Sequence, residues 1–315
     1  QFAVAPGGAL AWIRSPVVEY PDRALVTVDR RGTISGLGVE ARPYGPSVRV
    51  SRDGRRFIVT TRTSVRSAVW MGDLERGALT PLLMDTESTW PLWWPTDERR
   101  LLVDRNQHRR GTFVSVSADG SGEIEELGPS DNFWVSSFTP DGRRLVLVRD
   151  RGDGDELLVT GVDGGFSRLE PLVGVAENPG NGEISPDGRW LAYAGRRSGR
   201  SEVYVRPFPG PGAQIQVSVD GGDSPAWNPS GGELFFVSAR TERGTFWMMV
   251  APLSPTMVPG TPSRLFEFDQ NSLHFQGAPV RIYDVAPDGQ RFYAVQAKSN
   301  TVPAPVRYLN YEPHF

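Results

Sequence analysis

The residues able to do chemistry are few in this chain and poorly spaced for it. Its three histidines, His108, His274 and His314, stand in separate loops or the tail with neither an i, i+4 nor a His-x-His relation, whereas a zinc site draws on three or four nitrogen or sulfur ligands. Cysteine is absent, which removes disulfides and thiolate metal sites together. The run Asp150-Arg151-Gly152-Asp153-Gly154-Asp155 supplies oxygens of the kind calcium takes, but an arginine interrupts it and the distal glutamate is missing, so it reads as a loop. Gly120-Ser121-Gly122 lacks the spacing and the strand-to-helix setting of a nucleophile elbow. Glu87 and Glu177 each precede an apolar strand and could act as paired carboxylates on a glycan, at a separation the sequence leaves open. The residues therefore imply no metal, no cofactor and no catalytic residue.

Two other sets of side chains suit binding. Aromatics and amides cluster in segments leading into a recurrent hairpin: Trp90, Trp93 and Trp94; Asn132, Phe133 and Trp134; Asn178 and Asn181; Asp223, Ser224 and Trp227; His274, Phe275 and Gln276. Rings give contact area at low entropic cost while amides orient a ligand. Trp94, Trp134 and Trp227 directly precede the hairpins and are expected to pack between sheets. Arginines cluster after the hairpins, among them Arg62, Arg105, Arg109, Arg110, Arg149, Arg151, Arg196, Arg197 and Arg200, and guanidinium groups attract carboxylates or phosphates bidentately. The candidate site comprises Trp90, Trp93, Asn132, Phe133, Asn178, Asn181, Asp223, Gln276, Arg109, Arg110, Arg151 and Arg197.

The elements that position these residues follow from a repeat. An apolar strand, a turn of the form Ser/Thr-Pro-Asp-Gly-Arg and a second apolar strand recur, most clearly at Thr139–Arg143, Ser185–Arg189 and Ala286–Gln290, and more loosely from Ser51, Pro95 and Asn228, with Ala5-Pro6-Gly7-Gly8 opening the series. The turn residues at 6, 52, 95, 140, 186, 229 and 287 recur at a step of about 45 residues, the period of propeller blades, until a longer last step implies an insertion near 267–279. In the turn, proline presets φ, aspartate bonds nearby backbone and glycine takes positive φ. A third apolar run and a weaker edge strand follow each hairpin, giving four antiparallel strands that bury their faces only by stacking around an axis. The expectation is one all-β propeller over 1–315, with seven blades in units of about 1–40, 41–86, 87–130, 131–174, 175–220, 221–268 and 279–315; six blades is the alternative if the terminal strands share a sheet. The aromatic and arginine loops would then share one face of the channel, and the Asp-Gly-Arg hairpins the other.

Composition narrows the partners. A formal net charge of −3 and a pI near 5.8 leave no general basic footprint for nucleic acid. No apolar run reaches the length of a membrane span, so no direct membrane insertion of this chain is expected. A start at Gln1 fits a processed product or part of a longer protein.

The Pro-Asp-Gly-Arg hairpins resemble the TolB-like propeller repeats along essentially the whole chain. A narrower resemblance, in Ser185–Tyr193, Glu202–Gly210 and Val217–Gly222, is to the C-terminal propeller of bacterial membrane-anchored serine/threonine kinases. It implies an extracytoplasmic sensor or docking domain, tethered through a segment outside this chain. The kinase signatures themselves, a Gly-rich loop, His-Arg-Asp and Asp-Phe-Gly, are absent. The expected function is non-catalytic recognition of a protein, a peptide or a small anionic ligand on the channel-face loops. An architectural subunit of a membrane complex, and a carbohydrate-active lyase or hydrolase in the channel mouth, are the alternatives.

Overall fold

The structure, a computed structural model, describes residues 20–298 except 64–65, 87, 94–95, 97, 108–109, 131, 164–165, 167, 198 and 278, together with the strands Phe2–Val4 and Leu10–Trp12, which pair with each other; side chains at 2–4, 10–12, 85–86, 88–89, 106–107 and 110 are outside the description.

Six antiparallel sheets form the ring. Blade 1 runs from Tyr44–Val50 to Ala78–Thr86, blade 2 from Ser88–Trp93 to Ile124–Pro129, and blade 3 from Phe133–Phe138 to Leu169–Val173. Blade 4 runs from Gly180–Ile184 to Ile215–Gln216, and blade 5 from Gly222–Trp227 to Ser263–Phe268. Blade 6 joins the two ends of the chain: Arg291–Ala297 pairs with Arg23–Asp29, whose other edge carries Ile34–Gly36. The expectation of seven blades is thereby corrected to six. The strands near the N-terminus complete the last blade instead of forming a first one, because a strand shared between the ends satisfies the edges an open ring would expose. A strand expected near 306–311 lies outside the described residues.

Burial explains the apolar runs. A middle strand is covered on both faces by neighbouring blades, so it carries consecutive apolar residues instead of an alternation. Leu145, Val146, Leu147 and Val148 are all fully buried, as are Leu101, Leu102 and Val103 in blade 2. Each such side chain contributes about 1.5–3 kcal/mol on leaving water. Outer strands are wet, and all of Ile34–Gly36 is exposed.

The hairpin motif works as its residue types require. Asp141 Oδ1 accepts from the Thr139 hydroxyl at 2.6 Å and from the Arg143 N–H at 3.0 Å; Asp187 repeats this with Ser185 and Arg189, and Asp53 with Ser51 and Arg55. Gly188 takes φ +74°, and a Cβ there would stand 3.4 Å from Pro140 of the preceding blade. Gly54 meets Pro287 in the same way. The motif thus both turns its own strand and packs against its neighbour's proline.

Inner strands carry β-bulges near the loop face, where two residues oppose one at 181–182 and at 224–225. Asn181 and Ser224 accordingly adopt φ of +54° and +51°. Blade 6 enlarges this feature. Its inner strand pairs at His274↔Val295 and resumes at Asp284↔Tyr293, so residues 275–283 leave the sheet as an excursion. This is the insertion implied by the long last step, a few residues later than expected.

Candidate functional site

The excursion fills the loop-face half of the channel. Asn181 N–H of blade 4 donates to Pro279 O at 2.7 Å, Val48 N–H of blade 1 donates to Ile282 O at 3.2 Å, and the Tyr283 hydroxyl donates to Ser224 O of blade 5 at 2.9 Å. Phe275, Val280, Arg281, Ile282 and Tyr283 are all buried. Gln270 supports the departure point, its Oε1 accepting from the N–H groups of Phe275 and Gln276.

Arg281 brings charge into the axis. Its Nε donates to Glu183 at 3.0 Å and its Nη1 to Asp284 at 3.0 Å. Arg49 lies beside it, donating to the carbonyls of Tyr283 and Arg281. Burial raises the Glu183 carboxyl above its usual range, with Arg281 and Arg49 opposing. Burial, followed by the like charge of Arg281, lowers the Arg49 guanidinium to about 10. Burial alone would also lower Arg281, but Glu183 and Asp284 hold it above its ordinary value. Two arginines and two carboxylates therefore compensate one another in a site too dry for any of them alone.

Glu183, Arg281 and Asp284 of this quartet line a cavity of about 290 Å³ that opens on the motif face. Trp93 and Trp227 flank it, and Pro140, Pro186, Pro229 and Pro287 of the hairpins rim it. Each tryptophan bridges two blades through its indole N–H, Trp93 to Arg49 O at 3.3 Å and Trp227 to Glu183 O at 2.9 Å. A second cavity, of about 500 Å³, continues outward between blades 4 and 5, sharing Arg52, Ser185, Pro186, Trp227 and Pro229 with the first. The two make one groove running from the axis to Leu253 and Met257.

The residues singled out in the sequence divide. Gln276 lies within the excursion, its backbone held by Gln270, and Asn181 and Asp223 gather beside it but are bonded inward. Asn181 Nδ2 donates to Asp223 Oδ1 at 2.8 Å, Ser201 donates to Asp223 Oδ2 at 2.9 Å, and Asn181 Oδ1 is buried without a partner. Burial raises the Asp223 carboxyl, with the Ser201 hydrogen bond opposing it. Asn178, at φ +42°, caps the short 3-10 turn Val175–Glu177 and accepts from Asp155 N–H at 2.8 Å. Glu177 accepts from the Tyr193 hydroxyl. Asn132 is an exposed turn residue at φ +63°. Phe133 is half-buried under the Arg149 guanidinium, and Arg151 pairs with Glu156 at 3.5 Å. Trp90 and Trp134 pack against the cluster of Val146, Val148 and Tyr193, and Arg197 is exposed. Trp93 is 8% exposed and is chiefly core, its remaining edge lining the motif-face cavity. Arg109, Trp94, Glu87, His108 and His314 lie outside the described residues, as does the Arg110 side chain. His274 is half-buried on the inner strand of blade 6.

Sequence reasoning missed the quartet and Arg52. The signal was available: Arg49, Glu183 and Asp284 each stand three residues before the turn position of their own motif, a charged residue in an otherwise apolar inner strand. Among the described residues no group of three His, Cys, Asp or Glu side chains is placed to hold a metal ion, and no helix is long and apolar enough to cross a membrane.

Such a ring, closed by the pairing of Arg23–Asp29 with Arg291–Ala297 and open at one mouth, defines a six-bladed propeller. No family model and no curated protein matches the chain. Among solved structures it is similar to a protein designated TolB from Agrobacterium tumefaciens, with TM-score 0.68 and 14% identity over 87% of this chain and 98% of that one. It is also similar to TolB from Acinetobacter baumannii, with TM-score 0.57 and 14% identity over 80% of this chain and 64% of that one. An oligogalacturonate lyase from Vibrio parahaemolyticus follows, with TM-score 0.55 and 12% identity over 86% and 78%. At these identities the likeness is one of fold, and the fold is TolB-like. The narrower resemblance to kinase-associated propellers rests on the sequence motifs alone.

Proposed function

We propose that this chain is a non-catalytic binding platform that takes a segment of a protein or peptide partner in the groove on its motif face. One observation carries the reading: the chain's own excursion occupies the loop-face half of the channel, while the motif-face mouth keeps an open cavity continuous with a groove. A concave site walled by tryptophan, proline and methionine, with a few fixed polar groups, suits an extended ligand. The carboxylates lining it, Glu98, Asp187, Glu183 and Asp284, are each engaged by an arginine, which supports binding over acid–base turnover. The resemblance to kinase-associated propellers adds an extracytoplasmic setting and a tether outside this chain to the proposal.

Selection of a displayed peptide library on the purified chain tests this. Selected peptides are expected to lose binding when Pro255, exposed at the outer end of the groove, is changed to Trp, and to keep it when the exposed Arg197 of the loop face is changed to Trp. The reverse pattern refutes the motif-face site.

A further inference from the structure

Arg52 stands in blade 1 where the five other blades carry proline. Its side chain nevertheless lines both cavities, including the one between blades 4 and 5 on the far side of the ring. It therefore lies across the mouth. Every other charged side chain of the groove has a partner of opposite sign. Asp187 pairs with Arg189 at 2.7 Å, Glu98 with Arg56 at 3.6 Å, and Glu183 and Asp284 both pair with Arg281, with Arg49 beneath. Among the described residues the Arg52 guanidinium has no such partner; only its backbone N–H is engaged, by Glu98.

The groove beside it is apolar and has a bare floor. Trp227, Leu253 and Met257 wall it. Gly231 and Gly232, with φ of +81° and +75°, leave open space where side chains would stand, so a ligand backbone can approach closely. Met257 walls the groove and holds φ +64°, a left-handed conformation strained for a residue with a side chain. Local strain of this kind gathers at ligand-holding sites.

Resting on the reading that this groove binds a peptide, we propose that Arg52 fixes its register by holding a carboxylate of the ligand, while the adjoining apolar side chain of that ligand lies against Trp227 and Met257. A single planar guanidinium matches a single carboxylate bidentately. A phosphate dianion would call for a second free cation, and the neighbouring charges here are already paired. A chain end and an acidic side chain both present such a carboxylate, and the test separates the two.

Three probes are titrated against the whole chain by calorimetry: acetyl-Gly-Gly-Ala-Leu with a free carboxylate, the same peptide as its C-terminal amide, and acetyl-Gly-Asp-Ala-Leu amide. At least one carboxylate peptide is expected to bind about tenfold more tightly than the neutral amide, in keeping with a charge-assisted pair. The free acid leading would assign the chain end, and the Asp peptide leading would assign a side chain. In Arg52→Gln, with its melting temperature checked against the parent, the preference should fall to within about twofold. Equal binding of all three peptides, a preference that survives Arg52→Gln, or stronger competition by inorganic phosphate than by acetate would overturn the carboxylate anchor while leaving a peptide groove in place. Binding by none of them overturns the anchor, and failure of the library selection as well overturns the groove.

Discussion

The two mouths of the channel are built from the same six inner strands and end up as opposites. At the loop face the strands bulge, and the largest bulge, residues 275–283, returns its polar groups to the inner strands of blades 1, 4 and 5. At the motif face the hairpins satisfy themselves through the Ser/Thr–Asp turn, so nothing needs to enter the mouth and a cavity remains. A face rich in aromatics and amides is thus the closed one, because those groups are consumed in closing it. The repetitive face is the open one.

The largest expected contrast is in stability. Arg281→Met removes the cation shared by Glu183 and Asp284 and leaves buried carboxylates poorly compensated, so it should cost about 3–5 kcal/mol in urea unfolding. Arg52→Gln, at the exposed mouth, should stay within about 0.5 kcal/mol. Equal costs would break the distinction between a structural and a free arginine. Next in size, Asn181→Leu takes a hydrogen-bond donor from Asp223 and should cost about 1–3 kcal/mol, measured the same way; no loss would mean that the network does not hold the excursion.

Trp227→Phe keeps a ring in the wall but removes the indole bond to Glu183 O, and about 0.5–1.5 kcal/mol should follow. The smallest effect, and the one that sets the two ends against each other, is in pH dependence. Asp223 has its pKa raised by burial, so the folded state binds that proton more tightly than the unfolded one. Its contribution is fully present below the ordinary aspartate value and is lost as pH rises through the folded value. Asp141 has its pKa lowered, first by the Thr139 hydroxyl and then by the Arg143 N–H, so its contribution is present above the ordinary value and is lost as pH falls through the folded one. Unfolding curves between about pH 3 and 7 should therefore change in opposite senses for Asp223→Asn and Asp141→Asn. Parallel changes would contradict the assignment of the two ends.

The fold was legible because the motif repeats and each turn residue has a local job: Asp141 and Asp187 bond within five residues of chain, which a sequence displays directly. Blade number was harder, since Arg23–Asp29 pairs with Arg291–Ala297 across nearly the whole chain and nothing local marks that partnership. The site was legible only in part. Asn181 and Asp223, both named in the sequence, bond to each other at the loop face, yet that residues 275–283 would cover them depends on contacts to three other blades. Arg52 shows in the sequence only as a replacement of the motif proline; that its guanidinium reaches across the mouth without a partner among the described residues appears only in the assembled ring.

The most direct test of the account is hydrogen–deuterium exchange on the chain with and without a peptide from the library selection. Protection gained around residues 50–54, 226–232 and 253–257, with exchange at 132–133 and 178–181 unchanged, is the result expected of a motif-face groove. Protection confined to 132–133, 178–181 and 275–277 would contradict it and return the binding site to the opposite mouth.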